Sequence, residues 1–125
     1  MFLANPARTL DLLLRAERLS PRDPRTWYRA AVAALAHFLA GDFEEAAACA
    51  NRALAQSPRF APTLRVLAAS FARLGRTHEV RQAMQDLLRL KPQLAVTTLR
   101  GRLGHMDDKA LDPFLEALRV AGLPE

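Results

Sequence analysis

The sequence predicts an all-α fold made of helical hairpins repeated along the chain, and three observations carry that prediction. Punctuating residues recur at a fixed interval: Gly41 and Gly75 are 34 residues apart, as are Pro58 and Pro92. Between them apolar residues return every three or four positions, the spacing that lays one face of an α-helix against its neighbours. Half of the 125 residues are apolar, which is enough for one domain with a core of its own.

The elements follow in order. A first helix carries Trp27, Ala30, Ala31, Ala34, Leu35 and Phe38 on one side and ends near Gly41. A second runs from Asp42 through Phe43, Ala46, Ala47, Ala50, Ala53 and Leu54 to Pro58. The same hairpin returns with Leu64, Leu67, Ala68, Phe71 and Leu74 up to Gly75, then Val80, Ala83, Met84, Leu87 and Leu88 up to Pro92. Glycine ends a helix because it enters the left-handed region without penalty, and proline because it has no N–H to continue the ladder. Ala34, Ala46, Ala53 and Ala68 let backbones approach, and Trp27, Phe38, Phe43 and Phe71 fill the space between layers. Neither face of such a hairpin is buried by the hairpin alone, so the units must stack. Pro21 and Pro58 stand 37 residues apart instead of 34, which predicts an extra turn in the helix that begins near Trp27.

At the ends, residues 6–21 read as the second helix of an incomplete repeat, with Thr9, Leu13 and Ala16 at packing positions. Its missing partner leaves Leu10, Leu12, Leu13 and Leu14 poorly covered, and such a patch calls for a second copy of the chain or another segment. Residues 22–58 and 59–92 form the two repeats. Residues 93–125 supply capping helices: Val96, Leu99 and Leu103 up to Gly104, then Leu111, Phe114, Leu115 and Leu118 before Gly122. Pro113 suits the first turn of a helix capped by Asp112, which predicts a short final helix. The whole is one domain of about six or seven helices.

Composition narrows the function. The formal net charge is +5, and arginine carries the excess, since Lys91 and Lys109 are the two lysines. The arginines are scattered from Arg8 to Arg119 among Glu44, Glu45, Glu79 and Asp86, a solvated helical surface and not a nucleic-acid site. The start of the sequence carries no signal-peptide pattern, and its longest uncharged segment, 30–41, is far short of the ~20 residues that span a bilayer. With Cys49 as the only cysteine, a reducing cytoplasmic setting without membrane contact is expected.

Candidate chemistry is sparse. His37, His78 and His105 sit in different segments without zinc-type spacing, so no metal and no cofactor are expected. Cys49, among Ala46, Ala47, Ala48 and Ala50, reads as a buried structural thiol. Asp107 and Asp108 fit a helix start, and Gly101 and Gly104 follow no strand that would make them a phosphate loop. An enzyme is not expected.

The run Gly41-Asp42-Phe43-Glu44-Glu45-Ala46, with Ala53-Leu54 and Pro58, resembles the second half of a tetratricopeptide (TPR) repeat, and Leu64, Leu67-Ala68, Phe71 and Gly75 resemble the first half of the next. Val80 and Leu87 depart from the family's alanines and Thr77 from its aromatic residue, which implies looser packing in the second repeat. The run 19–24 with Trp27, the run 38–41 and the ending 114–125 resemble the C-terminal repeat region of bacterial class III adenylate/guanylate cyclase-type multidomain proteins, whose catalytic segments have no counterpart here. The resemblance implies a TPR-like right-handed superhelix that serves as a protein-binding scaffold, in such a setting the regulatory tail of a cyclase-like signalling protein. It places Tyr28, Arg29, Val32, Arg65, Ala69, Arg73, Leu99 and Arg100 on the wall of a concave groove. An acidic peptide or carboxylate-ended tail would complement that wall. The alternative is a self-assembly module in which Leu10, Leu12, Leu13 and Leu14 make a homodimer.

Overall fold

The computed structural model describes residues 26–103 and 108–125. These form six helices and no strand: α1 (Thr26–Leu39), α2 (Phe43–Gln56), α3 (Ala61–Leu74), α4 (Thr77–Leu90), α5 (Val96–Arg102) and α6 (Asp108–Val120). The incomplete repeat expected at 6–21 lies outside the described residues.

Local chemistry sets the boundaries of the hairpins. Gly41 and Gly75 have φ of 86° and 72°, a left-handed conformation in which a side chain would be strained. At Gly75 the turn closes with the Gly75 amide donating to Ala72 and the Arg76 amide to Phe71, so two otherwise orphaned carbonyls are satisfied. Asp42 caps α2 by accepting from the Glu45 amide at 3.3 Å, and Glu44 and Glu45 in the first turn complement the helix dipole. Pro62 sits in the first turn of α3, where a missing N–H is harmless. α1, from the first described residue Thr26, and α3 each show 14 residues, and the residues before Thr26, where the additional turn predicted from the spacing would begin, lie outside the described residues.

Consecutive helices pack as α1 on α2, α2 on α3 and α3 on α4, and α1 also touches α3. Phe60, just before α3, meets Trp27 at the start of α1 with ring centroids 5.1 Å apart. At the other end, Phe38 of α1 and Arg73 of α3 line one cavity. The two helices therefore run in the same direction. Close approach is possible because the contacting residues are small: Ala34, Ala46, Ala50 and Ala68 are fully buried. Leu87, larger than the alanine of the family pattern, is accommodated with no exposure at all.

The C-terminal part folds back on this stack. α6 presents Leu111, Phe114, Leu115 and Leu118, all buried, to α3, and Phe114 reaches α1 by meeting the Phe38 ring edge-on at 5.3 Å. α6 is longer than the sequence predicted, because it begins at Asp108 and holds Pro113 inside. Burial of Leu111, one turn before Leu115 on the same face, offsets the proline defect. α5 has no side-chain cap. Its Val96 and Thr97 amides instead donate to the main-chain oxygens of Pro124 and Glu125 at 2.8 and 3.2 Å, so the C-terminal residues act as its cap. Among the described residues no helix is long and apolar enough to cross a membrane.

Among the described residues one polar atom in the core is unmatched: Thr63 Oγ1 is buried without a hydrogen-bond partner. Thr63→Val keeps the shape and removes the orphan, so it should stabilise the chain by about 1 kcal/mol. Urea denaturation of the two proteins checks this, and a loss of stability would show that the hydroxyl has a partner in solution.

Candidate functional site

The face of α1 and α3 away from their hairpin partners is the surface that the sequence assigned to a groove. It divides into two halves. Toward the C-terminal ends of the two helices it is filled by the chain itself: Ala36 and Ala69 have no exposure, and Phe114 packs against Phe38. Arg73 there donates to the Pro113 carbonyl of α6 at 3.1 Å. Ala69 is thus buried and offers nothing to a ligand, and Arg73 is committed to α6. A residual cavity of about 260 Å³ remains among Phe38, Phe43, Arg73 and Pro113.

Toward the N-terminal ends the face is partly exposed. Tyr28 is 50% exposed, one of two large apolar side chains so exposed among the described residues. It packs edge-on to Trp27 and Phe60 with centroids 5.8 and 6.2 Å away, a rigid aromatic cluster with one wet side. Arg29 and Val32 on α1 and Arg65 on α3 are half-buried.

The remaining groove candidates sit elsewhere. Leu99 is fully buried between α5 and its neighbours. Arg100 bonds Asp112 at 2.9 Å and clasps α5 to α6. Both belong to the C-terminal clasp and not to an open wall. The small size of Ala69 and the apolar character of Leu99 fit a core position as well as a groove, and burial by α6 decides between them. Leu10, Leu12, Leu13 and Leu14 lie outside the described residues.

Electrostatics singles out Arg65. Burial first, and then the charge of nearby Arg102, lower the pKa of its guanidinium from the ordinary arginine value. Arginine stays protonated all the same, so Arg65 keeps a partly desolvated positive charge within the field of a second one. No carboxylate among the described residues pairs with either. Arg102 also lines a cleft of about 400 Å³ with Lys91, Gln93 and Thr98, floored by Leu90 and Leu94 and without an acidic residue among the described residues. Sequence reasoning named Arg65 but missed Lys91 and Arg102. Arg65 and Arg102 are 37 residues apart in sequence, too far for spacing alone to relate them.

A second cluster was also missed. His37, Glu45 and Cys49 place their nitrogen, oxygen and sulfur atoms within 4.8 Å of one another. Cys49 is buried, its Sγ lies 3.8 Å from Glu45 Oε1, and Arg52 donates to it at 3.0 Å. Burial raises the thiol pKa, while the Arg52 hydrogen bond acts against it. The signal was present in the spacing: His37 stands four residues before Gly41 and Glu45 four after, and in a helical hairpin positions equidistant from the turn face each other. His78 is exposed on α4 and takes no part, and His105 and Asp107 lie outside the described residues. No protein-family model matches the chain, and no curated protein matches it significantly.

Proposed function

We propose that the chain is a protein-interaction module of TPR type that captures an acidic peptide segment on the open half of the α1/α3 face and in the adjoining basic cleft. The observation that carries this reading is the half-buried Arg65 together with the basic cleft lined by Lys91 and Arg102. A half-buried guanidinium with a second positive charge in range and no described carboxylate paired to either is a liability for stability, and an anionic ligand would compensate it. Tyr28 supplies an amphipathic anchor of the kind that dominates interface energies. The stacked hairpins, with α1 and α3 running side by side, suit a scaffold whose first helices line the binding face. On the resemblance to cyclase-type repeat regions, the module would act as a regulatory tail.

A synthetic peptide of about eight glutamates tests the reading by fluorescence anisotropy. It should bind, weaken steeply as salt is raised, and lose at least about tenfold in affinity in an Arg65→Ala, Arg102→Ala double variant. An oligolysine peptide should not bind. The stability of Arg65→Met should move the other way: an apolar chain of similar length removes a desolvated charge, so its Tm should equal or exceed that of the parent. Binding lost with stability kept is the signature of a recognition residue, whereas loss of both would make Arg65 structural. Equal binding by parent and double variant would overturn the reading. If light scattering shows a mass that rises with concentration while the peptide fails to bind, self-assembly through Leu10, Leu12, Leu13 and Leu14 takes its place.

A further inference from the structure

We propose that His37, Glu45 and Cys49 form a zinc site that staples α1 to α2, remote in role from the peptide-binding face. The three side chains are an imidazole, a carboxylate and a thiol, the set that zinc takes in preference to harder cations. They come from both arms of one hairpin: His37 from the last turn of α1, Glu45 and Cys49 one turn apart on a single face of α2. The hairpin is among the best-packed parts of the chain, with Ala34, Ala46 and Ala50 fully buried around it. The ligand backbones are thus held in place before any metal arrives.

The distances fit with a small closure. Tetrahedral zinc, with bonds of ~2.3 Å to sulfur and ~2.0–2.1 Å to nitrogen or oxygen, separates its ligand atoms by roughly 3.4–3.6 Å. Here all three atoms lie within 4.8 Å of one another, and sulfur and carboxylate are already 3.8 Å apart. Glu45 is 49% exposed in its side chain and lies 3.9 Å from the Arg52 guanidinium, a partner that it would exchange for the metal as it turns inward. Arg52, whose guanidinium touches Cys49 Sγ at 3.0 Å, holds a place that the metal would take over. Its side chain is 67% exposed, so exchanging its contacts with Cys49 and Glu45 for a metal does not require the core to open.

Asp42 Oδ2 stands 3.9 Å from His37 Nδ1. A carboxylate beside a ligating imidazole orients the ring and raises its basicity, and Asp42 would do so for the ring nitrogen that the metal does not take. On binding, zinc takes the thiolate and the thiol proton passes to water. The three protein ligands leave a fourth position for water.

Cobalt(II) is the probe, added to the tag-free chain in the absence of reductants that bind metals. One equivalent per chain should produce a thiolate-to-metal charge-transfer band in the near ultraviolet, and zinc should abolish it by displacement. The band should vanish in Cys49→Ser, which keeps the size and the fold of the parent, as circular dichroism would verify. His37→Gln should weaken cobalt binding by at least about tenfold, and Asp42→Asn, which retains the helix cap, by up to about tenfold. Zinc should also raise the Tm of the parent and leave that of Cys49→Ser unchanged. Absence of the band at saturating cobalt, or its persistence in Cys49→Ser, would overturn the assignment.

Discussion

Phe114→Ala is expected to cost about 3–5 kcal/mol, the range for emptying a buried aromatic site. Phe114 is 2% exposed and is the one residue of α6 whose ring reaches across to Phe38 of α1. Its loss leaves a cavity between α6 and the Phe38 ring of α1. The effect should be visible locally before it is global. With α6 loosened, the Pro113 carbonyl withdraws from Arg73, and the second half of α3 should lose hydrogen-exchange protection ahead of α2. A loss under about 1 kcal/mol by urea denaturation would mean that α6 is not anchored as described.

Removing Leu123 to Glu125 should cost about 3 kcal/mol, although only three residues leave. Leu123 is 3% exposed, and its amide donates to Leu118, so it seals the end of α6. Pro124 and Glu125 accept from the Val96 and Thr97 amides, and Glu125 also accepts from the Thr97 hydroxyl at 2.7 Å. Arg119 is held between Glu116 and Glu125, which raises its pKa, and it loses the second partner. A seven-residue helix cannot stand on its own propensity. α5 should therefore melt, while α1 to α4 remain folded. Exchange measurements that find α5 as protected as before would contradict this account of its cap.

The two hairpins were legible because their signals are local. Gly41, Gly75, Pro58 and Pro92 act on their own neighbourhoods, and the alanine and leucine faces need only a helical period to be recognised. What α6 covers was not legible. Leu111, Phe114, Leu115 and Leu118 would make the same apolar stripe whether the helix capped the end of the stack or lay along α1 and α3. The family resemblance placed Ala69 and Leu99 in a groove, and a small or aliphatic residue carries no mark of what will cover it. Pro113 misled for a different reason: the preference of proline for a first turn is real but modest beside the burial of Leu111. The Arg65–Arg102 pair and the His37–Glu45–Cys49 cluster depend on contacts between elements, which one-dimensional spacing shows only in outline.

The central claim is that the open half of the α1/α3 face, with Arg65 and Arg102, receives an acidic segment. Titrating the isotopically labelled chain with the glutamate peptide and following amide and arginine side-chain resonances tests it most directly. The account predicts saturable shifts concentrated at Tyr28, Arg29, Val32, Arg65, Lys91 and Arg102, with α2 and the outer face of α4 unmoved. Absence of shifts at saturating peptide, or shifts spread evenly over the exposed arginines, would contradict it.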